Sequence, residues 1–353
     1  MILTQVSKMK KQATKLPSFS IVFETENLSS VELENIYLSL GSLEKQEISI
    51  ASANEFLIID GGYAPPEVIE QISSKYPWIA IKQIPGIGYH EAKMMGATLA
   101  TGEIIVFCDS DCVYTSNWLK SILTTFTEKL DINIVAGETS TPIRNPYELA
   151  IALHYFFPRF SHQEQPYSSQ GYYLNSVAFR RDFLLQNPIP VNLPLYRSNC
   201  QIHIHYLHSH GYEILKHPQA QANHEPPTMS FISWRYLLRG RDRVLREQIK
   251  LSLTNSADLK NIAQLTGDYT TRSQKINGVI RTLWQATPFK KEQIIAVLQE
   301  DLRRIFLLPL ALPIVIYFEI LYTIGSIVTY FQPNLLLNLY KQKENHSNEL
   351  TTA

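Results

Sequence analysis

Between residues 19 and 136 short apolar runs alternate with segments of helical periodicity, and few architectures accept that order. FSIVF (19–23), FLIID (56–60), IAIKQI (79–84), EIIVFC (103–108) and INIVA (132–136) read as buried strands. Between the first two, Leu33, Ile36, Tyr37, Leu40 and Leu43 fall at helical spacing, and Ser29 with Glu32 is expected to cap that helix. Pro65 and Pro66 suit the first turn of a second helix, a third is expected from about Tyr89 to Ala100, and Trp118, Leu119, Ile122, Leu123 and Phe126 mark a fourth. Strands alternating with helices predict an α/β fold, a mainly parallel sheet covered on both faces.

In such sheets ligands bind beyond the carboxyl ends of the strands. Three polar clusters fall there: Glu24 to Asn27, Asp60, and Asp109 to Asp111 in VFCDSDCVY. Two aspartates one residue apart at the mouth of a buried strand crowd like charges, which is costly unless a cation sits between them. A divalent metal answers that requirement; a plain turn with an N-cap is the alternative, since Asp and Ser favour both.

The third quarter is less regular. SSQGYYLNSVAFRRDFL (168–184) reads as a strand or hairpin entering a helix, and QIHIHYLHSHGYEIL (201–215) as a helix closed by Gly211 and followed by a short strand. His203, His205, His208 and His210 wind around that helix, which argues against a zinc site. From Phe231 to Lys250 a helix carries five arginines and suits an anionic membrane surface. Residues 305–331 hold one charge, Glu319, and exceed the roughly 20 residues that span a bilayer core. Pro309 and Pro313 interrupt the run, and basic residues flank both ends, so either a re-entrant element or a single span is expected. KQKENHSNELTTA at the end reads as a disordered polar tail.

Lys plus Arg equal Asp plus Glu at 32 each, so no global charge points to nucleic acid. Cys108, Cys112 and Cys200 lack metal-binding spacing and suggest reduced thiols, and MILTQVSKMKKQ is too short in apolar residues for a signal peptide. A cytoplasmic catalytic part at the membrane is expected. The organisation reads as a basic tail (1–16, with Lys8, Lys10, Lys11 and Lys15), a catalytic domain (17–240, dividing near 140), a helical linker (241–304), a hydrophobic membrane segment (305–340) and the polar tail (341–353).

PSFSIVFETEN, FLIIDGGY and GYHEAKMMGATLATGEIIVFCDSD together resemble glycosyltransferase family 2, over roughly residues 17–240. The resemblance implies a GT-A sandwich, inverting transfer from a nucleotide-sugar to an acceptor hydroxyl, and Mg2+ or Mn2+ as cofactor. It places Thr25, Asn27, Asp60 and Lys93 with the nucleotide, Lys93 standing where the family commonly has Arg. Asp60 would meet the base, Asp109 the ribose and metal, and Asp111 and His224 the metal. Asn175 before AFRR, Trp234 and Arg235 would line the acceptor region. The departure is at Asn199 and Cys200, which occupy the positions of the family's acidic pair and cannot serve well as general base. Glu138, Glu225, Asp182 or a histidine are candidates to replace it. The anchor suggests a lipid-linked or polysaccharide acceptor. The other reading is a catalytically weak member acting as partner subunit in polysaccharide assembly.

Overall fold

The computed structural model describes residues 15–29, 31–154, 159–253, 272–285 and 291–351. Lys8, Lys10 and Lys11 of the basic tail lie outside them. The first half alternates as expected: β1 (Phe19–Glu24), α1 (Asn35–Glu44), β2 (Phe56–Asp60), α2 (Pro66–Lys75), β3 (Ile79–Gln83), α3 (Tyr89–Leu99), β4 (Ile104–Cys108). A three-residue β5 (Cys112–Tyr114) follows the aspartates, then α4 (Trp118–Glu128), β6 (Ile134–Ser140) and α5 (Pro146–His154). Next come β7 (Tyr167–Ser168), β8 (Ser176–Arg180), α6 (Arg181–Gln186), α7 (Asn199–Ser209) and β9 (Leu215–His224). The helical remainder is α8 (Met229–Leu253), α9 (Arg272–Gln285), α10 (Lys291–Glu300), α11 (Leu308–Phe331) and α12 (Leu335–Thr351).

All nine strands join one sheet in the order β3-β2-β1-β4-β8-β6-β9-β5, with β7 on β9. The β3-β2-β1-β4 half is wholly parallel, and β6 runs parallel to β9. β5, β7 and β8 join antiparallel, which makes the sheet mixed as a whole. Strand alternation divides the core into two layers: Phe19, Ile21 and Phe23 face α1, α2 and α4, while Val22 faces α3. A methyl group on Gly96 of α3 would overlap the Val22 side chain, so the glycine sets how closely that helix approaches β1.

Three local expectations change. The first helix begins at Asn35 with Glu34 at its N-cap, and Ser29 ends a 3-10 turn, so Ser29 and Glu32 form no capping box. The strand after Gly211 is long: β9 reaches His224 by a register shift against β6 between Gly137 and Glu138. The tail is not disordered, because α12 runs to Thr351. Gly211 does close α7, at φ +76°.

α11 is an unbroken helix long and apolar enough to cross a membrane, with Pro309 in its first turn and Pro313 inside it. It packs against α5, α8 and α9, yet leaves Leu310, Ile320 and Phe331 at 65%, 52% and 57% exposure. α8 crosses the boundary expected at 240 without a break.

Candidate active site

The parallel strands end at one edge, and their last residues make the site. Asp109, directly after β4, is buried and accepts from Asn27 Nδ2 at 2.9 Å and from the Tyr89 hydroxyl at 2.8 Å. Lys93, fully buried on α3, lies 2.6 Å from the other Asp109 oxygen and also donates to the Cys108 carbonyl. Burial alone would lower the Lys93 pKa, but Asp109 and Glu24 outweigh it and raise it, so the ammonium stays charged. The backbone here is equally fixed: Asp109 N donates to the Tyr114 hydroxyl, and Ser39 Oγ donates to the Asp109 carbonyl.

On the neighbouring strand Asp60 accepts from Thr25 Oγ1 at 2.6 Å and from the amides of Gly62 and Ala64. Gly62 has φ +89°, a conformation that leaves its amide free to turn back on the carboxylate. Thr25, Asn27, Asp60, Lys93 and Asp109 therefore converge at one edge.

Asp111 and His224 meet on the other side of Asp109. β5 pairs with β9 so that Cys112 is opposite His224, which carries His224 Nε2 to 3.2 Å from Asp111 Oδ2. His224 Nδ1 lies 2.8 Å from the Glu225 carbonyl, an acceptor only, so Nδ1 carries the proton. Nε2 faces the Asp111 carboxylate either as the N–H of an imidazolium or, with the proton absent, as a lone pair that a bound cation would satisfy. Asp111, Cys112 and His224 each offer one donor atom, and the three lie within 4.8 Å of one another. The oxygen and nitrogen donors fit a divalent ion. Burial, opposed by His224 and reinforced by Asp109, raises the Asp111 pKa.

Three participants, Arg197, Tyr89 and Tyr114, were not foreseen, and Glu24, expected at this edge as part of a polar cluster, has a place of its own. Glu24, at the tip of β1, is buried with Oε1 lacking any hydrogen-bond partner, and burial together with Asp109 raises its pKa well above the usual value. Its Oε2 accepts from the Glu26 amide at 2.6 Å. Arg197 binds Glu26 at 2.8 Å, donates to Asn27 Oδ1 and stacks 4.8 Å over the Tyr89 ring. The loop that carries Arg197 is held by Asp242 of α8, which accepts from the amides of Tyr196 and Arg197. Tyr89 and Tyr114 complete the set. An acid at the tip of an otherwise apolar strand is the signal that placed Glu24 in that cluster; Arg197 had none, since its partners lie 170 and 171 positions away.

The remaining candidates separate. Asn199 Nδ2 is bound to the Pro190 carbonyl at 2.7 Å, and Cys200 Sγ lies 3.3 Å from His90 Nε2. Burial, with Asp109 nearby, pushes the Cys200 thiol up to about 12, and burial lowers His90 to about 3, so that pair stays neutral. Asp182 does not reach the site: Arg180 pairs with Ile104, at the far end of β4, and the Asp182 carboxylate is 88% exposed. Glu138 is at the correct edge but accepts from the Ser161 amide and hydroxyl and the Tyr167 hydroxyl. Glu225 pairs with Arg144 at 2.6 Å. His203 is buried between Tyr172 and the Asn187 carbonyl. Asn175 bonds Thr139 and, through its carbonyl, Tyr114. Trp234 turns toward α12, 5.9 Å from Tyr340, whereas Arg235 lies 4.9 Å over Tyr196.

Residues 31–186 match the family model described as glycosyl transferase family 2. No curated protein sequence matches the chain. Among solved structures, the mannosyltransferase PcManGT from Pyrobaculum calidifontis, in complex with GDP-Man and Mn2+, aligns at TM-score 0.50 and 15% identity over 90% of this chain and 88% of that one. GalNAc-T7 with UDP, GalNAc and Mn2+ aligns at TM-score 0.47 and 16% identity over 61% of this chain, which spans 44% of that one. The sheet order, the carboxylates at its edge and the matched segment agree: residues 31–186 carry a glycosyl transferase family 2 domain, set in a GT-A-like mixed sheet.

Proposed function

We propose that the protein is an inverting glycosyltransferase that moves a sugar from a nucleoside diphosphate to a hydroxyl of a lipid-linked or polysaccharide acceptor at the membrane. The observation that carries this reading is the edge where Asp60, Asp109, Lys93 and the Asp111–His224 pair converge. Asp60, fixed by Thr25 and two amides, presents an acceptor to the nucleotide base. Asp109, gripped by Asn27, Tyr89 and Lys93, faces the ribose, and Lys93 brings positive charge toward the diphosphate. Asp111 and His224 would hold Mg2+ or Mn2+, as their donor chemistry favours and as the Mn2+ in the mannosyltransferase complex suggests. A divalent ion there supplies charge against the departing diphosphate.

We assign catalysis to residues 17–240 and membrane attachment to 305–340, on the strength of the one long apolar helix among the described residues. A cytoplasmic orientation follows from the basic flanks of that helix.

The second reading, a partner subunit that binds donor without turning it over, is favoured by one observation: Asn199 and the neutral Cys200 thiol stand where a base is expected. Turnover separates the two. Purified protein is incubated with a panel of nucleotide sugars, Mn2+ and extracted membrane lipid, and nucleoside diphosphate release is followed. Release that falls by at least about a hundredfold in Asp111→Asn supports the enzyme. Donor binding without release in any combination supports the partner subunit.

A further inference from the structure

α11 has two unlike sides. Ala311, Val315, Phe318, Gly325, Ser326 and Thr329 are buried, and at about 100° per residue they fall within an arc of about 100°. Leu310, Ile316, Tyr317, Ile320, Ile324 and Phe331 are 42% to 65% exposed and fall within an arc of about 120° on the opposite side. A surface helix of a globular protein turns its polar face outward, whereas this one turns an apolar face outward. Its one charge, Glu319, is drawn inward to His154 of α5, at 2.8 Å.

The buried side is covered along the whole helix by the body that carries the site. Toward its start, Leu149, Ala150 and Leu153 of α5 share an apolar cluster with Ala311, Val315 and Phe318. In the middle, Tyr236 of α8 stacks on Phe318 with ring centroids 4.5 Å apart, and Gly240 of α8 meets the Tyr322 carbonyl. Just beyond the end, Arg241 Nε of α8 donates to the Pro333 carbonyl at 2.6 Å. α12 then turns back along α8, with Tyr340 beside Trp234 and 3.0 Å from the Tyr196 hydroxyl. Tyr196 directly precedes Arg197 of the site, so both ends of α11 are held on the same body.

That attachment is incompatible with a crossing. A 24-residue helix is about 36 Å long, and a spanning one has about 30 Å of hydrocarbon between its two ends. Standing across a bilayer, α11 would either pull α12 away from Tyr196 or carry α8, with Arg241 and Asp242, into the hydrocarbon.

α9 extends the bare face. A methyl on Gly278 would overlap the Tyr330 ring, which places α9 against the far part of α11. Ile276, Ile280, Leu283 and Trp284 recur at i, i+4, i+7 and i+8 and are 48% to 84% exposed, on a helix that also carries Lys275 and Arg281. An apolar stripe with an exposed Trp and cations beside it is the composition of a helix that lies in a membrane interface.

We propose that α11 does not cross the bilayer but lies in the plane of one leaflet. Its outer face and the Ile276–Trp284 stripe of α9 sit among the acyl chains, and the sheet edge and α12 share the aqueous side. This rests on the membrane attachment proposed above and specifies its geometry.

The test places a cysteine on the catalytic domain, Lys129→Cys, or beyond α11, Gln342→Cys, both at exposed positions of the full chain. Sealed membrane vesicles from cells expressing each variant are treated with a membrane-impermeant maleimide before and after detergent, with the wild-type chain as blank. The expected result is the same detergent-free labelled fraction at both positions. One position labelled freely and the other only after detergent would overturn the proposal, because α11 would then span. In a second measurement Ile324→Ser/Trp284→Ser, one change on each exposed stripe, should lower the fraction bound to anionic phospholipid vesicles by at least about threefold with an unchanged melting temperature. Unchanged vesicle binding, with or without a shift from dimer to monomer, would overturn the proposal, since lipid would not be what covers the face. A wild-type chain that binds no vesicle is a separate result and counts against membrane attachment itself.

Discussion

At the scale of single residues, Glu24 shows what it takes to assemble this edge. Its carboxyl is buried among Asp109, Lys93 and Arg197 with one oxygen unsatisfied, and burial raises its pKa well above the usual 4.5. The folded protein therefore keeps a proton that the unfolded chain releases, and stability falls as pH rises from the ordinary glutamate range through the raised folded value. Glu24→Gln removes that loss. It should stabilise by about 1–3 kcal/mol at neutral pH, with little gain near pH 4, as thermal unfolding at the two pH values would show. His224→Ala tests the other flank: without the ring opposite Asp111, Mn2+ affinity should fall by at least about tenfold while the melting temperature changes little. The residues legible in the sequence were those whose meaning is local. Asp109 and Asp111 follow a buried strand directly, and Asp60 ends another. Tyr89 and Arg197 were hidden because their roles depend on contacts across the sheet and on a loop set by α8, and Glu24 was legible only as part of a polar cluster at the strand end.

At the scale of elements, the crossing of α8 and α11 joins the sheet domain to the apolar helix. A methyl on Gly240 would overlap the Tyr322 carbonyl, and one on Gly325 the Leu237 carbonyl, so the two backbones meet with nothing between them. Ser326 Oγ donates to the Gly240 carbonyl at 3.0 Å, and His154 of α5 lies between Tyr236 and Glu319, 2.8 Å from each. Gly325→Val should push the helices apart and destabilise by about 1–3 kcal/mol or more, read as a lower unfolding temperature in detergent. The strand-helix rhythm to residue 136 was readable because each element carries its own period. β5 was not, since three residues carry no alternation and its place is decided by β9. β9 was read short because KHPQAQANH has the composition of a loop, and its pairing with β6 on one side and β5 and β7 on the other overrides that. The tail from Lys341 was read as disordered from its polarity, yet it continues α12, whose first turns, ahead of the tail, put Leu336 and Tyr340 against Leu238 and Trp234 of α8.

At the scale of the whole molecule, catalytic edge and apolar helix form one connected body through α8: Asp242 holds the loop of Arg197, and the adjacent Arg241 holds Pro333 beyond the end of α11. Under the proposed membrane attachment, a helix held this way would fix the height of the site above the bilayer. Ile320→Arg, on the exposed side of α11, should weaken liposome flotation, since a charge carried into the hydrocarbon costs up to about 2.5–3.5 kcal/mol on the insertion scale. Unchanged flotation would detach α11 from the membrane. The central claim concerns the sheet edge, and isothermal titration of the full chain with nucleoside diphosphates, with and without Mn2+, tests it most directly. Binding that requires Mn2+ and disappears in Asp111→Ala is the predicted result; nucleotide binding indifferent to both the metal and Asp111, or none at all, would contradict it.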